Sequence, residues 1–248
     1  MQLIQAEWLT TEENAQNIAN IAWAFAKLDI NAPNFFNAIE KQAESLVNEG
    51  NPQEIANAAW AFAKLDIKPP KFFNAIEERA DWLANNGKPR DIANTAWAFA
   101  KLGIKPPKLF NAIEMQDECL VKNGNSHDIA NIAWAFAKLG FRAPKIFSAI
   151  EKLAESFANE GNSHDIANIA WAFAKLDIND PNFFNAIEKQ AEPLVKGGIP
   201  QSIGNIAWAF AKLDINAPNF FNAIEKQAEL LVNEGNPQEI ANIAWAFA

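Results

Sequence analysis

Cysteine and histidine are nearly missing from this chain, with one Cys and two His in 248 residues. A single Cys excludes a disulfide framework, and so small a stock of thiol and imidazole excludes almost any His/Cys zinc site. Positive charge is also short: 21 Lys plus Arg against 30 Asp plus Glu leave a formal charge of −9. The molecule as a whole therefore repels nucleic acid and anionic lipid unless its basic groups gather on one surface. No apolar run approaches the roughly 18 residues that cross a bilayer. The opening MQLIQAEWLTTEEN is too acidic for a signal or transit peptide. These deficits point to an acidic, soluble, intracellular protein. What the chain does hold is apolar: half of its residues are hydrophobic, ample for a core.

That apolar content is organised by repetition. Trp-Ala-Phe-Ala-Lys-Leu begins at Trp23, Trp60, Trp97, Trp134, Trp171 and Trp208, and Trp-Ala-Phe-Ala returns at Trp245, always 37 residues apart. Full repeats run over 17–53, 54–90, 91–127, 128–164, 165–201 and 202–238, with partial repeats at 1–16 and 239–248, so that 1–248 reads as a single array. Gln5 to Gln16 aligns without gaps on Gln42 to Gln53.

Each repeat reads as two helices. Asn51-Pro52-Gln53-Glu54 has the form of a capping box, repeated with Ser and Asp at Asn125-Ser126-His127-Asp128. The first helix is expected to stop at Asp66, or at Gly103 and Gly140 in other repeats, where a left-handed residue suits the terminus. A link such as Ile67-Lys68-Pro69-Pro70 starts the second, which ends at Gly50, Gly87, Gly124, Gly161, Gly198 and Gly235. On a helical wheel the second helix has one apolar side of about 120°, whereas the first is apolar over about 220° and must be covered on two or three sides. The expected fold is an all-α, right-handed α-solenoid of tandem helix-turn-helix repeats, with the first helices lining a concave groove.

The inner helix keeps one narrow polar stripe, and this is where function is to be sought. It holds Asn20, Asn57, Asn94, Asn131, Asn168, Asn205 and Asn242, then Lys27, Lys64, Lys101, Lys138, Lys175 and Lys212. A variable position precedes them, reading Gln16, Gln53, Arg90, His127, His164, Gln201 and Gln238. Helices stacked at about 8–10 Å would display these as parallel ladders, a stride that suits an extended single strand read one base per repeat. Each element has a plainer reading. Asn could bond backbone between repeats. Lys is the favourable cation of a last helical turn. Trp borders the stripe and could stack on a base, although large aromatics at helical spacing are usually core. The two His hold equivalent places one repeat apart, too far to share a metal, and read as variable groove residues. Cys119 has no neighbouring base to activate it.

Two places break the pattern. Asp117 occupies the apolar position of Ala43, Ala80, Ala154, Ala191 and Ala228, so its carboxyl is raised by desolvation or its helix is displaced. Near the fifth junction Pro193, Gly197, Gly198 and Gly204 accumulate and Ile199 replaces the Asn cap, marking the weakest interface and a hinge.

The run Ile55-Ala56-Asn57-Ala58-Ala59-Trp60-Ala61-Phe62-Ala63-Lys64-Leu65, then Lys68-Pro69-Pro70-Lys71-Phe72-Phe73, with Asn51-Pro52-Gln53 before it, resembles the octotricopeptide repeat or its thirty-seven-residue heptatricopeptide relative. The likeness covers nearly the whole chain, with Phe where that family usually has Trp after Pro-Pro. It implies a fold like the tetratricopeptide and pentatricopeptide solenoids and a non-enzymatic role binding single-stranded RNA in organellar RNA processing, stability or translation, in a mitochondrion or chloroplast. The implied contacts are the Asn and Lys series and Gln53, Arg90, His127, His164, Gln201 and Gln238. No cofactor or metal is expected. The alternative is a protein or peptide scaffold, which acidity and a groove also suit, or a repeat-array fragment of a larger protein. Apolar Ile243 to Ala248 would allow end-to-end association. An enzyme is not expected, because the carboxylates recur by repeat instead of converging.

Overall fold

The structure, a computed structural model, describes residues 15–247. The partial repeat at 1–16, apart from Ala15 and Gln16, lies outside them, as does Ala248. All secondary structure among the described residues is helical, in nineteen helices. The chain divides into two compact units, Met1–Gly124 and Asn125–Ala248. The first holds α1 (Ala15–Lys27), α2 (Pro33–Lys41), α3 (Ala43–Glu49), α4 (Pro52–Lys64), α5 (Pro70–Glu78), α6 (Ala80–Asn86), α7 (Pro89–Leu102), α8 (Pro107–Glu114) and α9 (Asp117–Asn123). The second holds α10 (Ser126–Leu139), α11 (Pro144–Lys152), α12 (Ala154–Glu160), α13 (Ser163–Lys175), α14 (Pro181–Lys189), α15 (Ala191–Gly197), α16 (Pro200–Lys212), α17 (Pro218–Lys226), α18 (Ala228–Glu234) and α19 (Pro237–Ala246).

A complete repeat thus has three helices, and the expected pair is corrected: the second helix breaks in two. Gln42 sits at φ −106°, ψ 17°, and its N–H is shared between the carbonyls of Ala38 and Ile39. Arg79, Leu153, Gln190 and Gln227 stand in the same conformation. None of them is Gly or Pro, so no local breaker marks the site. The break also resolves Asp117. It is the first residue of α9 and half-buried, where a carboxylate meets the positive end of a helix instead of the middle of an apolar face.

The inner helices start and stop as their sequences require. Asn51 Oδ1 accepts the Glu54 N–H at 3.1 Å, and Glu54 Oε2 accepts the Asn51 N–H at 3.0 Å. At the other end Ile67 N–H reaches Phe62 O and Asp66 N–H reaches Ala63 O, a Schellman closure with Asp66 left-handed at φ 54°. Asp29, Asp177, Asp214, Gly103 and Gly140 take the same conformation. The glycines ending the short helices serve a different need. Gly50 is extended, and a Cβ there would lie 2.7 Å from Leu46 O, so the close approach itself demands glycine.

Within each unit the inner helices pack side by side, α1 on α4 on α7, and α10 on α13 on α16 on α19. Buried alanines such as Ala56, Ala59 and Ala63 let the backbones come close. Within a unit a short helix packs on the next repeat's outer helix, as α3 does on α5 and α15 on α17. Between the layers runs a zipper of Phe: Phe62 of α4 meets Phe36 at 5.2 Å and Phe72 at 5.1 Å, and Phe173 of α13 meets Phe147 at 5.0 Å and Phe183 at 5.1 Å. These arrangements make each unit an α-solenoid.

Carboxylates stitch successive repeats together. Glu77 of α5 accepts the N–H groups of Lys108 and Leu109 at 2.6 and 3.0 Å, capping α8, which has no side-chain cap of its own. Glu40 does the same for Lys71 and Phe72, and Glu188 for Asn219 and Phe220.

Candidate nucleic-acid interface

The polar stripe is a matter of angle. Taking Gln53 as zero, at 100° per residue Asn57 falls at 40°, Lys64 at 20° and Trp60 at −20°, while Phe62 lies opposite at 180°. Phe62 is buried against the outer helices, so the stripe faces away from them. Solvent exposure follows this division. Gln16, Gln53, Arg90, His127, His164, Gln201 and Gln238 are exposed, as are Lys27, Lys64, Lys101, Lys138, Lys175 and Lys212. Asn57, Asn94, Asn131, Asn168, Asn205 and Asn242 are half-buried and Asn20 is exposed. Each unit therefore lines up its own residues on one open face, carried by α1, α4 and α7 in the first and by α10, α13, α16 and α19 in the second.

Among the described residues no hydrogen bond joins a stripe asparagine to the inner helix of a neighbouring repeat. Asn131 and Asn168 turn their amides to the His one turn back, Nδ2 to Nε2 at 3.1 and 3.2 Å. The amides of Asn57, Asn94 and Asn205 meet no partner among the described residues. Half-buried amides without protein bonds are free to meet a ligand's donors and acceptors.

Tryptophan belongs to the stripe more fully than periodicity indicates. Trp60, Trp97, Trp134, Trp171 and Trp208 are half-buried, and Trp23 is 44% exposed. Their rings form rows: Trp23 and Trp60 have centroids 6.3 Å apart, Trp134 and Trp171 6.4 Å apart. The wheel carried the signal, since Trp lies only about 20° from the variable residue, but the rule that large aromatics are core pointed elsewhere.

Charge on the stripe is uneven. Lys64 Nζ pairs with Asp29 at 3.3 Å, and Lys212 with Asp177 at 2.9 Å. His127 Nδ1 lies 2.9 Å from Oδ1 of buried Asp165, while Nε2 faces the Asn131 amide. The carboxylate on Nδ1 places a proton on that nitrogen, directed at Asp165. Ser126 completes a superficially catalytic trio, but its Oγ bonds Asp165 at 3.4 Å while Asn131 occupies Nε2, so no hydroxyl stands where imidazole could deprotonate it.

Residues 4–159 match the family described as RESC6, RNA-editing substrate-binding complex 6 protein. No curated protein matches the chain.

Proposed function

Because the chain belongs to the RNA-editing substrate-binding complex 6 family, we propose that it binds single-stranded RNA along the exposed stripe of its inner helices, without catalysis. The recurrence of one polar-Asn-Trp-Lys row on six inner helices, and of its first three members on the seventh, supports this reading most directly. The lysines meet phosphates, the Trp rings offer stacking surface, and the amides and variable residues meet base edges. Six lysines bound the salt slope at about −4 for a single strand, so binding is modest and salt-sensitive. With Asn constant and variation confined to Gln, Arg and His, discrimination among sequences is weak. The 37-residue period makes octotricopeptide-like repeats the repeat class proposed, and RNA editing in an organelle the setting. Partner proteins belong to the same proposal, since the family's description is of a complex.

The test is filter binding of labelled single-stranded RNA homopolymers at two salt concentrations, with Lys64, Lys101 and Lys138 changed together to Glu. Binding at low salt that the triple change abolishes supports the reading. Seven of the nine Trp belong to the rows, so bound RNA should also quench intrinsic fluorescence. Absence of binding at low salt, or indifference to the triple change, would leave a protein scaffold as the better account.

A further inference from the structure

At Asp29 and Asp177 the left-handed residue that ends one inner helix lies against the stripe lysine of the next, whereas Asp66 and Lys101 make no ion pair among the described residues. Asp29, Asp66, Gly103, Gly140, Asp177 and Asp214 hold that position. Where it is Asp29 or Asp177, the carboxylate contacts Lys64 or Lys212 of the following helix. These are exposed pairs and add little to stability. Their effect on an anionic ligand is larger, because a phosphate approaching either lysine meets a carboxylate already on the same ammonium. Gly140 offers no carboxylate to Lys175, which has no ion-pair partner among the described residues. The helices with paired lysines carry Gln53 and Gln201 at the variable position, whereas α13 carries His164. Lys175 on α13 thus meets no carboxylate from the inner helix before it.

We propose that an Asp in contact from this left-handed position withdraws the next lysine from an RNA phosphate, as at Lys64 and Lys212, and that Gly releases it. Lys175 is then a phosphate anchor, and Lys64 and Lys212 are masked. The inference rests on the stripe being an RNA surface and deepens that reading. The position can be exchanged without disturbing the fold. A Cβ at Gly140 meets nothing within 4 Å, and Asp holds the equivalent place at φ 52–54° in four other repeats.

Fluorescence anisotropy of a labelled oligouridylate with the full chain, at a series of salt concentrations, tests this. K175A is expected to weaken binding about two- to fivefold and to flatten the salt slope by about 0.7, one phosphate contact on a single strand. K212A should change neither quantity. G140D should reproduce the loss of K175A, and D177G should tighten binding and make Lys212 matter. Circular dichroism verifies that the variants stay helical. Equal losses from K175A and K212A, or a silent G140D, would overturn the masking idea while leaving RNA binding intact. A wild-type chain that does not bind the oligouridylate at low salt overturns both.

Discussion

Removing the carboxylate of Glu77 should loosen one repeat from the next, by an amount the structure bounds. In Glu77→Ala the N–H groups of Lys108 and Leu109 lose acceptors at 2.6 and 3.0 Å, and α8 has no side chain of its own to replace them. Fully buried hydrogen bonds to a charged group contribute about 1.5–3 kcal/mol each. Glu77 is only half-buried, so water recovers part of that loss, and the cost falls toward the range of a helix cap, about 0.5–2 kcal/mol. For a chain of this size that lowers the melting temperature by roughly 2–6 °C, with urea unfolding and exchange at Lys108 and Leu109 as local readouts. Glu151 is the internal control. It holds the equivalent position, but α14 is capped by Asp180, whose Oδ1 accepts the Phe183 N–H at 3.0 Å, and Glu151 accepts a hydrogen bond from the Asn182 side-chain amide instead of from backbone. Glu151→Ala should cost less than about 0.5 kcal/mol, as exposed surface contacts do. If the two variants were equally destabilised, or Glu77→Ala were silent, the inter-repeat cap would not be what joins these helices.

Three further outcomes follow from the packing and the buried charges. Phe173→Ala opens the zipper between Phe147 and Phe183 and should cost about 3–5 kcal/mol in urea unfolding, the usual range for a buried Phe. At the fifth junction Ile199 provides no side-chain cap and the buried Oγ of Ser202 has no partner. Ile199→Asn with Ser202→Asp should rebuild the capping box for about 1 kcal/mol. Gly204→Ala adds up to about 1 more, because its Cβ would meet Glu239 O at 3.4 Å. Hydrogen exchange that finds the unaltered junction as protected as the others would contradict its weakness. Burial holds the carboxyls of Asp91 and Asp180 above their ordinary value of 3.8, despite the opposing N–H groups of Lys88 and Phe183. The native state binds those protons more tightly than the unfolded chain, so their contribution favours folding in acid and is lost as pH rises through the raised value. Asp91→Asn and Asp180→Asn should therefore raise stability at pH 7 and not below the ordinary carboxyl value.

The readable features were those written in local chemistry. Asn51 and Glu54 announce their cap because both partners lie within one turn. Asp66 marks a terminus because few residues accept positive φ. The break at Gln42 was not legible, since nothing in Gln42 itself opposes a helix. The partners of Glu40 and Glu77, 31 and 32 positions away, appear only when repeats are stacked, so nothing local in the sequence marks these caps.

For the stripe, helical periodicity by itself determined which side chains share a face, because 100° per residue is a property of one helix. Whether that face is open, which lysines carry a carboxylate and which amides keep their donors free depended on the neighbouring helix. Trp60 is half-exposed because inner helices pack through small alanines on either side of the stripe, and Lys64 is paired because stacking brings Asp29 from the preceding repeat against it. Contacts across 35 residues of chain are set by how helices lie against each other, and only tertiary packing decides that.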